Sequence, residues 1–357
     1  MRILLFNDYP MDKYYEDWKK GLTPGQQLWG KTELDKKENF EVVILPHHEH
    51  KILKRIGNLL HIQHFDLQIR ALRNLKNIDA IYAPFAASTT KFLLILKFFG
   101  LLNIPIVAMI HYPLLGSNSK YKLLKWLGKR LIKGYNKMIF LGQKIKSDAM
   151  KAFNLTEEEC KDWFILMDWG SDTSYFEKYL NKIGEENYVV SNGQTGRDFD
   201  TLIKAFDKID LNLKIYAKSG YKPKTESIPP HVEINTHWIN NNELMEIYSK
   251  ARFILICFKM TQGSTLGLTS VLDCISMGKP FIITENPYID LDPEKEGVGF
   301  AVKEGDVQGW IEKVNFLNEN PELCKQMGKR CLELQRNRFS LERFGDSLHR
   351  VFLDLKK

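Results

Sequence analysis

Short apolar runs alternate along the chain with longer stretches whose apolar positions recur at helical spacing. In the first half, the runs at 3–6, 41–45, 80–83, 106–110, 137–140 and 163–166 read as strands. In the second half, the runs at 188–191, 213–216, 232–235, 253–256, 281–284 and 299–302 do the same. Helical patterns between short apolar strands are the mark of a parallel sheet covered on both faces. Two strand–helix sets of similar length, parted near 178–187, predict an α/β protein of two Rossmann-like, doubly wound domains facing a cleft. The expected boundaries are 1–178, 179–338, and a terminal helix within 339–357 carrying Leu341, Phe344, Leu348, Val351 and Phe352 at helical spacing. The stretch 91–110 is apolar enough to suggest a membrane span, but Lys97, Gly100, Asn103 and Pro105 interrupt it. It reads instead as a helix over 88–99, a turn, and a buried strand.

Composition narrows the class. A length of 357 residues suits two domains of ordinary size better than one core. Hydrophobic content of 44% with 27% charged residues describes a soluble globular chain, neither disordered nor fibrous. The five cysteines are odd in number and none has Cys-x-x-Cys spacing, which indicates neither a disulfide framework nor a zinc site and fits a reducing cytoplasm. Met1 to Phe6 reads as a strand, not as a signal peptide.

The net charge of +7 is modest, so its placement matters more than its sum. Between 120 and 151 the lysines and arginines are dense, Asp148 is the single acid, and Leu123, Leu124, Trp126 and Leu127 interleave with the cations. A basic amphipathic helix with a Trp reads as a contact for an anionic membrane surface. Lys51, Lys54, Arg55, Arg70 and Arg73 would add to that face. The plainer reading is a solvated helix buried on one side. Nucleic acid is not expected as a partner, because no recognition motif accompanies the charge.

The run from Gln262 to Pro280 carries the most chemistry. Its small-residue loop, with Gly263, Ser264, Thr265 and Leu266, leads into an amphipathic helix that ends at Gly278-Lys279-Pro280. Such a loop turns backbone N–H groups and the positive end of a helix dipole toward an anion, typically a phosphate. Asp273, further along the helix, can accept hydrogen bonds from sugar hydroxyls. Together they suggest a nucleotide-sugar site, against the alternative of an ordinary βα-loop.

Other candidates sit at strand ends. Gly193 lets backbone approach a ligand, and Arg197 presents a forked cation to a diphosphate or else pairs with Asp198 or Asp200 on the surface. Lys218 is a second cation for the same phosphates or a solvated lysine. His111 ends the strand at 106–110, where an imidazole either meets a sugar hydroxyl or caps a loop. Gly25 and Gln26 open what reads as the first long helix, after a long polar loop over 7–24. Trp238, beside His237, either contacts a ligand or packs its own loop. His47, His48, Glu49 and His50 are adjacent in one loop, and adjacent loop residues rarely converge on one ion. No second cluster supports them, so no metal is expected.

Asp273-Cys274-Ile275-Ser276-Met277-Gly278-Lys279-Pro280 resembles the donor-binding helix of GT-B-fold retaining glycosyltransferases of the family-4 type, the group 1 glycosyl transferases. Their pattern is an acid, seven residues, a second acid, then Ala-Met-Ala-x-Gly-x-Pro. Asp273 takes the second acid's place, and Thr265 stands where the first is expected. The segment 191–203 is similar to their diphosphate-binding segment, with Arg197 on its lysine position and Gln194 near its arginine position. The segment 168–176 resembles the one that closes their first domain.

The resemblance implies that Gly25 and Gln26 face the donor phosphates, that His111 touches the transferred sugar, and that the 236–239 loop meets the base. It also implies a terminal helix crossing back onto the first domain, against the plainer reading of a helix packed on its own domain. The implied activity moves a sugar from a UDP- or GDP-linked donor to a carbohydrate or lipid-linked acceptor, as in bacterial surface polysaccharide or glycolipid assembly. No metal or cofactor is required for it. The expected location is cytoplasmic, peripheral on the inner face of the plasma membrane if the basic helix binds lipid. A nucleotide-sugar epimerase of like fold, which would want paired acids in the cleft, and a non-catalytic nucleotide-binding membrane scaffold are the other readings.

Overall fold

The structure is a computed structural model that describes residues 1–180, 186–225, 227–260 and 263–355. Gln262 and the 181–185 part of the expected domain boundary lie outside the described residues.

The first lobe runs β1 (Arg2–Leu5), α1 (Met11–Lys19), α2 (Lys31–Leu34), β2 (Glu41–Ile44), α3 (Lys51–Leu59), α4 (Phe65–Asn74), β3 (Ala80–Ala83), α5 (Ala86–Thr89) and α6 (Lys91–Phe98). It continues with β4 (Ile106–Ile110), α7 (Lys122–Ile132), β5 (Lys137–Phe140), α8 (Gln143–Phe153), α9 (Glu157–Cys160), β6 (Phe164–Leu166) and α10 (Thr173–Leu180). The second runs β7 (Tyr188–Gly193), α11 (Phe199–Phe206), β8 (Asn212–Ala217), β9 (Val232–Asn235), α12 (Asn241–Lys250), β10 (Ile254–Ile256) and α13 (Leu268–Ser276). After these come β11 (Phe281–Thr284), β12 (Gly299–Val302), α14 (Val307–Glu319), α15 (Pro321–Asn337) and α16 (Leu341–Asp354).

Among the described residues the strands form two parallel six-stranded sheets, ordered β2-β1-β3-β4-β5-β6 and β12-β11-β10-β7-β8-β9. Because successive strand residues point to opposite faces, Ile3 and Leu5 enter one apolar layer while Leu4 and Phe6 enter another. The layer holding Ile3 also holds Val190 and Ile254 of the second sheet, so one apolar core runs between the lobes. Strand order reverses between β1 and β3 in the first sheet and between β7 and β10 in the second. Ligands of open parallel sheets bind beyond the carboxyl ends of the strands at such switch points. The ends of β1, β3, β7 and β10 therefore frame the cleft.

Three local expectations differ from the structure. The loop expected over 7–24 contains α1, which starts after Pro10, a residue that suits the mouth of a helix. The long helix expected at Gly25 is a 3₁₀ turn (Gly25–Leu28) and the single-turn α2. It is broken by left-handed backbone at Trp29 (φ 51) and Gly30 (φ 86), a conformation incompatible with a continuing right-handed helix. The helix expected over 88–99 is split into α5 and α6 at Thr90, whose hydroxyl is tied to Ala86 O at 2.6 Å.

Chain segments tie the lobes together near 168–172. Arg338 donates from Nε and Nη2 to the two carboxylate oxygens of Asp168 at 2.9 and 2.8 Å, and Ser171 N donates to Phe339 O at 2.8 Å. Beyond that junction α16 lies on the first lobe. Phe352 meets Tyr82 of β3 edge-on at 5.6 Å between centroids. A Cβ on Gly30 would come within 2.5 Å of Leu348, so only a glycine admits the helix this closely. Phe352 is fully buried. Phe352→Ala should cost about 3–5 kcal/mol in urea unfolding, as large-to-small changes at packed aromatic positions do. A loss below about 1 kcal/mol would mean that α16 does not anchor the lobes.

Candidate active site in the interlobe cleft

A cavity of about 250 Å³ opens between the lobes. The first lobe lines it with Gln27, Trp29, Phe85, His111, Tyr112 and Trp169, and the second with Gln194, Thr195, Arg197 and the stretch 265–270. No carboxylate is among these lining residues.

On the second lobe the site begins with β7. Gly193 at its end has φ 138, and a Cβ there would lie 1.9 Å from Arg197 Nε. Glycine is what makes room for the guanidinium. Arg197 donates from Nη2 to Ser270 Oγ at 2.9 Å, while its Nε and Nη1 are buried with no hydrogen-bond partner among the described residues. Neither Asp198 nor Asp200 takes it up: Asp198 pairs with Lys259 at 3.3 Å, and Asp200 accepts from Tyr221 at 3.1 Å. Burial pulls the guanidinium's pKa below its ordinary value, yet arginine remains charged at any physiological pH. A desolvated cation with two idle donors is an anion-binding element in want of its anion.

Ser270 belongs to the first turn of α13, whose amino end carries the positive side of the helix dipole. The helix starts at Leu268, after Gly267 in left-handed backbone (φ 94), and Gly267 to Ser270 all line the cavity. The loop before it is less free than its composition suggests. Thr265 N donates across the cleft to His111 O at 3.2 Å, Ser264 is buried with its carbonyl taken by Asn286 Nδ2 at 3.0 Å, and Gly263 lies under the Tyr288 ring.

The first lobe supplies an aromatic wall. The Trp29 ring stacks on Trp169 at 4.5 Å and on His111 at 5.4 Å between centroids, and Phe85 meets Trp29 and His111 edge-on. Trp29 Nε1 donates to the Tyr9 hydroxyl at 3.0 Å. Burial pushes the His111 imidazole down to about 4, against the pull of Asp8, so it is neutral at ordinary pH. Its Nδ1 is buried without a hydrogen-bond partner among the described residues.

Gln26 bridges the lobes below the cavity. Its Oε1 accepts from Asp172 N at 2.9 Å and its Nε2 donates to Asp273 Oδ1 at 3.1 Å, while Gly25 N donates to Asp172 Oδ2 at 2.8 Å. Desolvation raises Asp273 to about 7, only partly offset by the Gln26 bond.

The cavity thus brings together His111, Arg197, Thr265 and Leu266. Gly193 shapes it through Arg197, whereas Gly25, Gln26 and Asp273 are not among its lining residues. Gly263 lines a different cavity, beside Tyr288 and Asp148. Lys218 is exposed at the end of β8 and Trp238 is 81% exposed; neither lines the cavity. Ser270, Trp29 and Trp169 are site residues that sequence reasoning passed over. Each lies inside a segment with a recognisable signal, but nothing in the residue order marks Ser270 as the guanidinium's partner or the two Trp rings as stacked.

The buried carboxyl gives a pH signature. Between about pH 4 and pH 7 the folded chain binds the Asp273 proton and the unfolded chain has released it. Stability must therefore fall as pH rises through that window. Asp273→Asn should flatten the fall, gaining most over the parent chain above pH 7, as followed by thermal melts across pH. Parallel curves for the two proteins would show that Asp273 ionises normally.

No protein-family model matches the sequence and no curated protein matches it. Solved structures do. HepE of Anabaena in complex with UDP aligns with a TM-score of 0.68 at 13% identity over 99% of each chain. Sucrose-phosphate synthase from Thermosynechococcus elongatus aligns at 0.68 and 12% identity over 99% of each chain. WaaG, a glycosyltransferase involved in lipopolysaccharide biosynthesis, aligns at 0.58 and 14% identity over 98% of each chain. Likeness at such low identity speaks for architecture, and with the paired sheets above it shows that this chain has the two-domain GT-B fold.

Proposed function

We propose that the protein is a glycosyltransferase that takes a sugar from a nucleotide-diphosphate donor, with retention, and passes it to a carbohydrate or lipid-linked acceptor. The observation that carries this reading is Arg197, with two buried guanidinium nitrogens that have no partner among the described residues, beside the amino end of α13. A donor diphosphate is the ligand whose charge and span suit that pair. HepE, of like fold, is seen with UDP and with UDP-glucose, which makes uridine donors the first to try.

In the reaction the bond from the sugar's anomeric carbon to the diphosphate oxygen breaks and the acceptor hydroxyl bonds to the same face. Its proton passes to the departing phosphate oxygen. Arg197 and the first N–H groups of α13 meet the charge that grows on that oxygen, in a site already oriented before the reaction begins. The Trp29–Trp169 wall gives the sugar an apolar face, and neutral His111 offers a ring nitrogen to a sugar hydroxyl. Thr265 N, now bonded to His111 O, becomes available to phosphate if the lobes part slightly. Asp273 lies near enough to Gln26 that a ribose hydroxyl would have to displace that bond. The second cation and the base platform suggested by Lys218 and Trp238 would require their loops to fold inward.

UDP at about a hundredfold its Kd should stabilise the protein by about 2.7 kcal/mol in thermal melts. Arg197→Ala should abolish that protection and cut nucleotide release from the active donor by about 100- to 1000-fold with the fold intact. Full activity in the variant would remove Arg197 from the site.

The acceptor side of the proposal rests on α7. Tyr121, Leu123, Leu124 and Trp126 are 73%, 71%, 48% and 51% exposed, so the helix turns apolar side chains and its cations outward together. Only Gly128, Leu131 and Ile132 are buried. Neighbouring α6 ends in exposed Phe98 and Phe99. Arg70 does not join this face, being buried against Asp66 at 2.9 Å. Among the described residues no helix is long and apolar enough to cross a membrane. Docking of α7 on an anionic leaflet, from the cytoplasmic side, would bring a lipid-linked acceptor to the cleft. Reversing Lys125, Lys129 and Lys133 to Glu should weaken binding to phosphatidylglycerol-containing vesicles at least tenfold, since each juxtamembrane cation is worth about 1 kcal/mol. Equal sedimentation of both proteins would leave α7 as plain surface.

A further inference from the structure

The fold adds to the adjacent pair His47 and His48 a third imidazole that is remote in sequence. His64, the residue before α4, brings a ring nitrogen to within 4.8 Å of one from each of the other two. The rings form one group: His47 and His48 are 3.9 Å apart between centroids, and His48 stacks on His64 at 5.2 Å. An ion held at about 2.0–2.1 Å by three imidazoles in tetrahedral geometry keeps their nitrogens about 3.3 Å apart. Small side-chain rotations cover that difference.

The hydrogen bonds around the group fix two of the three tautomers. Asn7 Nδ2 donates to Leu45 O at 3.2 Å, so its Oδ1 is the free acceptor that His47 Nδ1 meets at 2.8 Å. His47 Nδ1 therefore carries the proton and its Nε2 carries a lone pair. His64 Nε2 is bonded to the Asp8 carboxylate, which leaves the lone pair on Nδ1, and that Nδ1 is buried with no partner among the described residues. Metal-bound histidines characteristically have their other nitrogen on a carboxylate or amide oxygen in this way. Both His48 and His64 sit in left-handed backbone, each at φ 49, a local strain that non-glycine residues keep only where the surroundings enforce it. A cavity of about 240 Å³, lined by Asp8, His48, Lys54 and His64, adjoins the group and leaves room for a fourth ligand.

We infer that His47, His48 and His64 form a site for one zinc-class divalent cation, with Asp8 and Asn7 orienting two of the imidazoles. Imidazole ligands select late first-row ions over magnesium or calcium. The ion would fasten the loop after β2 to the start of α4, beside β1. None of the three histidines lines the interlobe cavity, and the inference does not depend on the proposed transferase reaction.

The test uses the full-length, tag-free protein, stripped with EDTA and titrated with Co²⁺ while its visible absorption is followed. One Co²⁺ per chain with the intense bands of tetrahedral coordination is expected, displaced by one equivalent of Zn²⁺. His48→Ala and His64→Gln should each weaken Co²⁺ binding at least tenfold, and Asp8→Asn should weaken it about 10- to 100-fold, the range for groups that orient a ligand. Should His64→Gln fail to fold, as judged by circular dichroism, His48→Ala alone decides. Absence of stoichiometric Co²⁺ binding, or affinity unchanged in His48→Ala, overturns the site.

Discussion

A guanidinium withdrawn from water, with one hydrogen bond where it could make several, is the constraint around which the cleft is arranged. Arg197 is bonded to Ser270, and its other two nitrogens find no partner among the described residues. Burying a cation costs several kcal/mol unless an opposite charge or a full set of acceptors offsets it. The chain nonetheless keeps the arrangement, and Gly193 is shaped to permit it. The second lobe therefore bears a cost in its empty form that an anion would relieve. That coupling favours ligands with charge to spare at the amino end of α13, and discriminates against neutral sugars alone.

The rest of the molecule serves to hold an opposing surface across the cleft from it. The Arg338–Asp168 pair, the Ser171 backbone bonds and α16 fasten the lobes at one side, while Gln26 joins Asp172 to Asp273 beneath the cavity. Across from Arg197 the first lobe presents aromatic faces and a neutral imidazole, with no carboxylate among the lining residues. Charge is concentrated on one wall and apolar surface on the other. A ligand with an anionic end and a ring-shaped end is what such a cleft separates best.

The sheet framework was legible because parallel strands buried on both faces are apolar runs, and the runs at 213–216 and 281–284 carry no competing signal. Elements governed by single backbone angles were not. Trp29 and Gly30 break a helix that residue types alone favour, and the polar composition of 11–19 hid α1. The strand–helix junctions within 191–203 and 263–280 were readable from their glycines, and residues of both line the cleft. What escaped was pairing between distant segments. Nothing in the order of residues ties Arg197 to Ser270, stacks Trp29 on Trp169, or sends Arg70 inward to Asp66. His64 stands apart from the His47–His48 run for the same reason, since only the fold makes them neighbours.

A crystal structure with UDP bound tests the central claim most directly. The account predicts a phosphate oxygen within hydrogen-bond distance of Arg197 Nε or Nη1 and a second against the backbone N–H groups that begin α13. A nucleotide bound elsewhere, or phosphates turned away with both guanidinium nitrogens still unpartnered, would contradict it.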